Sequence, residues 1–497
     1  MSFMKYTCTR NSKIEISASE AIVKGISDDG GLFVPSSFPI FSLDDICALC
    51  DLDYAERSAK ILSKYLDDFS YEEILDYAHK AYSRFDEDVC PVVKVEDGLY
   101  MLELWHGPTA SFKDISLSLL PYLLGASKKK LGITDHTLLL VATSGDAGKS
   151  AMEAFKDVEG AHVAVFYPAK GVSELQRLQM VTQEGANVSV FGVKGNFDDA
   201  QSAIKRILND EEVLDELKNL GVSLSAANSF NWGSLAPQIV YYFSAYCDLV
   251  ASEEVEPGEK INFVVPTGNF GNVVAGYYAY RMGLPVNKFI IATNANNALV
   301  DLFNDGEYDV RRDFFKTMSP SMDVLVASNL ERLVYDALGR DDDAVKQAYD
   351  SLKRTGRFEL DPEDIRMDLF EAGWADEEDT KNAVETFFDL DDYIMDTHTA
   401  VGASVYNDYS CETEDETPTV IVSTASPYKV APDVLGALGT KERNAYKAVV
   451  KLYNLTALDC PESIVELEEK EEIYKDVIEC ADIKQTVLDV AKRTQKQ

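Results

Sequence analysis

The stretch VVPTGNFGNVVAG, residues 264 to 276, passes from an apolar, β-branched run through a glycine-rich turn into a helical pattern. A strand that feeds a helix through such a turn is half of a β-α unit, and repeats of that unit build parallel sheets. The glycines let the backbone come close to a ligand, and the free amides of the following helix start favour an anion such as phosphate. A purely structural turn has the same letters, so this segment alone leaves binding open.

The same grammar recurs on both sides. Upstream, TLLLVAT (137 to 143), AHVAVFYP (161 to 168) and ANVSVFGV (186 to 193) each precede a helical segment. Downstream of those, SLSAAN (223 to 228), KINFVVPTG (260 to 268), KFIIATN (288 to 294) and TVIVSTAS (419 to 426) form a second series. Apolar strands joined by helices suit sheets covered on both faces. The reading is an α/β protein with two parallel-sheet three-layer domains and an N-terminal helical unit. The expected division is 1–95, a mainly helical domain interrupted by the turn-rich SDDGGLFVPSSFP; 96–115 with 235–435, the larger sheet domain; 116–234, a smaller mobile one; and 436–497, closing helices. Residues 330 to 395 read as mostly helical and acidic.

Composition narrows the function classes. With 497 residues, 46% of them hydrophobic and 27% charged, the chain is long enough for several cores and has the balance of a soluble globular protein. A net charge of −38 repels nucleic acid and anionic lipid surfaces, so neither is an expected partner, and a phosphorylated substrate needs local donors. Eight scattered cysteines and an N-terminus (MSFMKYTCTRNSK) without the apolar core of an export signal point to the cytoplasm. Cys47 and Cys50 form a C-x-x-C that nothing nearby completes, and no metal site is expected. The apolar runs are too short to span a bilayer.

Ligands of such sheets bind beyond the carboxyl ends of the strands. Besides 264–276, two other strand ends stand out. In VATSGDAGKSA (141 to 151) Gly145 and Gly148 shape a helix start able to hold an anion; Gly148-Lys149-Ser150 imitate the end of a nucleotide-binding loop, but Thr143 stands where its first glycine belongs. In VSTASPYKV (422 to 430) Thr424 could hydrogen-bond a ring nitrogen or cap a turn. A further stretch, WHGPTASFKD (105 to 114), sets Lys113 among small and apolar neighbours. A buried lysine must find a partner, lose its proton or be linked as an imine to an aldehyde cofactor.

HGPTASFKD, ATSGDAG, GNFGN and STASP occur in an order that resembles the threonine synthase family, pyridoxal-phosphate enzymes of the tryptophan-synthase-like fold, or fold type II. DDGGLFVP, GNFDDAQ, ANSFNW and SPSMDV extend the likeness over nearly the whole chain. The resemblance implies that Lys113 carries pyridoxal 5'-phosphate, that Gly268, Asn269, Phe270, Gly271 and Asn272 bind its phosphate, and that Thr424 faces its ring nitrogen. It further implies that Thr143, Ser144, Gly145 and Ala147 grip the substrate carboxylate, with Asp146 turned to the cofactor hydroxyl or a backbone donor because it would repel that carboxylate.

The implied reaction turns O-phospho-L-homoserine and water into L-threonine and phosphate, as a monomer or homodimer. A position shortly after the N-S-x-N segment departs from the family: Ser234 stands where relatives usually have arginine. Lys149 or Lys205 could then supply the cation, with Asn228, Ser229 and Asn231 as neutral contacts; otherwise the position is no direct contact, or phosphate binds weakly. His106 is expected to shape the lysine loop and His398 to begin a helix. A threonine or serine dehydratase, a magnesium-dependent nucleotide hydrolase and a silent relative remain the alternatives at this stage.

Overall fold

The computed structural model describes residues 4–86 and 88–494; the first three residues of the N-terminal stretch lie outside them. Two parallel sheets organise the chain. The larger has six strands in the order Phe370–Trp374, Val286–Thr293, Ile261–Pro266, Thr419–Ser423, Leu99–Glu103 and Val92–Glu96. All neighbours run parallel except the last pair, a hairpin through Asp97 and Gly98. The smaller has five parallel strands in the order Val477–Glu479, Val188–Lys194, Ala161–Pro168, His136–Ala142 and Val222–Ala226.

The central strands are buried along their whole length, as Ile261–Pro266 and Ala161–Pro168 are, which is why they read as unbroken apolar runs rather than alternating ones. Strand register places Pro266 beside Ala292 and Ala142 beside Phe166, so the strand ends of each sheet are level and their loops share one side.

The N-terminal unit holds the helices Ala18–Lys24, Leu43–Cys47, Tyr54–Leu62 and Tyr71–Tyr82. Ser17, Ser42, Asp53 and Ser70 start them, each with a reciprocal acidic residue three positions on. The unit also contains a three-stranded antiparallel sheet, Asn11–Ile16, Tyr6–Cys8 and Phe33–Pro35, beyond the helices expected there. Its last strand lies within the turn-rich segment. Trp232, fully buried, receives the rings of Tyr6 and Tyr65 at centroid distances of 5.2 and 5.3 Å and so ties this unit to the larger sheet's helices.

Three further findings depart from the sequence reading. Phe370–Trp374, inside the region read as helical, is a strand because it pairs with Val286–Thr293 over five registered positions. The hairpin 92–103 puts Leu99–Glu103 in the interior of the larger sheet. The closing residues do more than add helices: Val477–Glu479 joins the smaller sheet, and Ile483–Thr494 packs its Ile483, Val487 and Val490 into that sheet's core. Among the described residues no helix is long and apolar enough to cross a membrane.

Candidate active site

Lys113 opens the helix Lys113–Leu131, and the loop before it is fixed on both sides. The Phe112 amide donates to the Thr424 carbonyl (2.9 Å) and the Ser426 amide to the Ala110 carbonyl (3.1 Å), so the lysine loop is zipped to the end of strand Thr419–Ser423. Asp114, buried, accepts from the amide and hydroxyl of Thr109 at 2.7 and 2.6 Å. Gly107 is required where it stands, since a Cβ there would meet the Asp114 side chain at 2.6 Å. The Lys113 Nζ lies 4.1 Å from the centroid of the Phe112 ring. Burial lowers the Lys113 pKa to about 8 against an opposing pull from Asp146, so the neutral amine is far more accessible near neutrality than in an exposed lysine.

The Nζ faces a cavity of about 80 Å³ between the carboxyl ends of the two sheets. Its wall on the larger sheet is the turn after Ile261–Pro266. Phe270 there adopts the left-handed conformation (φ 67°) that aims the first turn of the helix Gly271–Arg281 at the cavity. Gly268 and Gly271 allow the approach: a Cβ on the first would meet the Ser321 carbonyl at 2.7 Å, and on the second the Ser229 hydroxyl at 2.8 Å. Asn272 accepts at Oδ1 from the hydroxyls of Tyr241 and Tyr242, both at 2.7 Å. Those two bonds orient the amide and leave its buried Nδ2 donor without a protein acceptor. The Ser321 hydroxyl, also on the wall, is buried and unpartnered too. Glycines at close approach, helix-start amides and orphaned donors fit a phosphate.

The wall on the smaller sheet is the turn after His136–Ala142. The Thr143 hydroxyl accepts from the amides of Gly145 and Gly148 at 2.9 Å each, which folds the turn into the helix Asp146–Phe155. Asp146 lines the cavity, but its Oδ1 is held by the Lys429 ammonium at 2.7 Å and the Gln176 amide at 3.0 Å. Burial works to raise the Asp146 pKa; the Lys429 charge and hydrogen bond outweigh it and keep the carboxyl below its usual range. Lys429 also donates to the Thr109 carbonyl (2.9 Å), so this buried pair joins the two sheets' loops.

Residues 5–82 match the family described as "Threonine synthase N terminus", 91–364 "Pyridoxal-phosphate dependent enzyme" and 399–487 "Threonine synthase, C-terminal". A threonine synthase of Methylobacillus glycogenes is 35% identical over 454 residues, covering 88% of this chain and 93% of that one. The chain belongs to the threonine synthase family. The crystal structure of the pyridoxal-phosphate-bound threonine synthase of Brucella melitensis superposes with a TM-score of 0.85 at 32% identity, over 98% of this chain and 100% of that one. Human threonine synthase-like 1 is 37% identical over 442 residues, covering 86% of this chain; the chain spans 58% of that relative's length. The family's cofactor is pyridoxal phosphate, and the cavity's donors suit it.

Of the residues singled out from the sequence, Lys113, Thr143, Ser144, Asp146, Ala147, Asn228, Gly268, Asn269, Phe270, Asn272 and Thr424 meet around the cavity. Gly145 (φ 139°) and Gly271 shape its turns from behind. Others are elsewhere. Lys149 lines a separate groove of about 720 Å³, where its ammonium is drawn to Glu153 one helical turn on (3.2 Å) and hydrogen-bonded to Gln183. The Asn231 side chain caps a short helix: it accepts from the Gly233 amide (2.9 Å) and donates to the Ile22 carbonyl (3.0 Å). Ser229 accepts at its hydroxyl from Asn329 (2.8 Å).

Ser234 is buried in the helix Trp232–Leu235, and neither it nor Lys205 is on the cavity wall. His106 bridges Glu103 (2.8 Å) and Asp86 (3.1 Å). His398 begins the helix Thr397–Thr413 and also reaches the cavity wall, accepting at Nε2 from the Ser321 amide (3.1 Å) while Nδ1 faces Asp396 at 2.6 Å. Burial would lower the His398 pKa, and Asp396 reverses that, raising it. Neither His398 on the wall nor Lys429 against Asp146 was foreseen. For His398 the one signal was its place at a helix start; Lys429 had none.

Proposed function

We propose that the chain is a threonine synthase, converting O-phospho-L-homoserine and water to L-threonine and inorganic phosphate as the last step of threonine biosynthesis. The observation that carries this reading is the meeting of a buried lysine of lowered pKa and an anion cradle across one cavity, in a chain similar to threonine synthases along its length. Bound pyridoxal phosphate supplies the electron sink that stabilises negative charge beside the substrate's α-carbon.

Lys113 would hold the cofactor through its Nζ, with the Gly268–Asn272 turn on the phosphate and the Thr424 hydroxyl at the ring nitrogen, a neutral partner that leaves that nitrogen less firmly protonated than a carboxylate would. The Lys113 Nζ would take the α-proton and later return it to the α-carbon, and would carry a proton from the β-carbon to the γ-carbon. A pKa of about 8 suits both uptake and return of protons near neutrality. The phosphate would leave the γ-carbon, and water would add its hydroxyl at the β-carbon while its remaining proton goes to the released phosphate.

The hydroxyls of Thr143 and Ser144 and the helix-start amide of Ala147 orient the substrate carboxylate, Gly145 shapes the turn that presents them, and Asn228 offers a neutral contact. Asp146, held by Lys429, stays off that carboxylate. The 80 Å³ cavity is small for cofactor and substrate together, which supports residues 116–234 moving as a lid against the larger domain of 96–115 and 235–435. The flanking units at 1–95 and 436–497 complete this division. The chain acts in the cytoplasm, as eight scattered cysteines and the absence of a membrane-spanning helix among the described residues support, and as a monomer or homodimer.

Supplying O-phosphohomoserine to the holoenzyme should yield phosphate and threonine in equal amounts. Ammonia and a keto acid in their place would move the chain to the dehydratases.

A further inference from the structure

Arg332 is fully buried, and its guanidinium meets only neutral oxygens. Nε donates to the Phe33 carbonyl (3.2 Å), Nη2 to the Phe230 carbonyl (2.7 Å), and Nη1 to the Ser229 carbonyl (3.3 Å) and the Asn329 Oδ1. The adjacent carboxylate, Glu331, is spent on Arg10 (2.7 Å) and Thr9. No salt bridge among the described residues neutralises the guanidinium, and burial lowers its pKa to about 10. An unneutralised buried charge is costly unless a ligand of opposite sign completes the site.

The surroundings point to where that ligand sits. Asn329, which accepts from Arg332, donates its amide and Nδ2 to the Asn269 carbonyl (3.0 and 3.3 Å) and Nδ2 also to the Ser229 hydroxyl (2.8 Å). Asn269 belongs to the cradle, and the Ser229 hydroxyl is the atom that a Cβ on Gly271 would meet. Independently, the buried Asn272 Nδ2 lacks an acceptor in the same cradle.

We propose that Arg332 is the counter-charge of the cofactor's phosphate, a positioning residue that holds the 229–230 segment and, through Asn329, the 269 turn, while placing one positive charge behind the cradle. The proposal rests on the reading that this turn seats the phosphate. In a chain of net charge −38, a dianion needs such a local source of positive potential. A fork spanning four oxygens in three directions is arginine's geometry, which lysine matches in charge alone.

The test is titration of the apoprotein with pyridoxal 5'-phosphate and with pyridoxal, which lacks the phosphate, followed by visible absorbance. In Arg332→Met the affinity for the phosphorylated ligand should fall about tenfold or more, with pyridoxal changed less than about twofold. Arg332→Lys, the second variant should the first not fold, should keep most of the preference for the phosphorylated ligand. Equal losses for both ligands in either variant, or an unchanged preference in Arg332→Met, overturns the proposal in favour of a purely structural arginine. A wild-type apoprotein that takes up neither ligand, matching a Lys113→Ala control, defeats the functional reading itself and this proposal with it.

Discussion

The two strand-to-helix turns that face each other across the cavity share a local grammar and differ in what they leave unsatisfied. At 268–272 the Gly271 amide is capped by Asn269 Oδ1, but the turn of the larger sheet keeps the buried Asn272 Nδ2 without an acceptor and, behind it, a guanidinium with no carboxylate. At 143–148 the turn of the smaller sheet is internally closed, its threonine hydroxyl accepting two amides and its aspartate paired with Lys429. The difference teaches that a glycine-rich turn becomes an anion seat through the protein acceptors it lacks. The open turn keeps a donor for an anion, whereas at the closed one Asp146 is spent on the other sheet's Lys429 and the Gly145 and Gly148 amides on Thr143.

The largest effect sharpens what the two turns serve. Lys113→Ala should lower turnover by roughly a thousandfold or more and abolish the visible band of the holoprotein, measured by phosphate release and absorbance. Retention of both would remove the lysine from the centre of the comparison.

The closed turn should show itself in stability. Asp146→Asn strands the buried Lys429 ammonium and should cost about 3–5 kcal/mol in urea unfolding of the apoprotein. A loss near zero would mean that the pair is not what closes this side.

The open turn should show itself in affinity. Asn272→Asp keeps the acceptor for Tyr241 and Tyr242 but replaces the orphaned donor with a charge hostile to phosphate. Cofactor affinity should fall by about ten- to a hundredfold, the worth of a hydrogen bond to a charged group, with unfolding of the apoprotein changed far less. Comparable damage to the apoprotein's stability would blur the contrast.

The smallest effect bounds the site. Lys149→Ala lies on the groove side of the closed turn's helix, where Glu153 retains Arg84 as a partner. Cofactor affinity should stay within about twofold and stability within about 1 kcal/mol. A large fall in cofactor affinity would return Lys149 to the cavity.

Much of this was legible beforehand, for a physical reason in each case. The strands Ala161–Pro168 and Ile261–Pro266 were readable because burial on both faces leaves an apolar run that nothing else explains. Lys113 was readable because its neighbours, Ala110, Ser111 and Phe112, are poor company for an exposed ammonium. Phe370–Trp374 was not, since FEAGW is a strand only by virtue of the partner it pairs with. Asn231 was ambiguous, because an asparagine before a helix reads alike as a cap and as a ligand donor, and here its oxygen accepts from the Gly233 amide. Lys429, 283 positions from Asp146 in sequence, carries no local mark of the pair it makes.

The sequence by itself determined the two β-α series, the lysine and the glycine turns, because strand burial, helix starts and glycine's backbone freedom are local properties written in neighbouring letters. Only the tertiary structure decided that Asp146 is spent on Lys429, that Lys149 turns away, and that Arg332 stands uncompensated behind the cradle. Charge balance in a buried site is a sum over side chains brought together from distant parts of the chain, and no single stretch contains that sum.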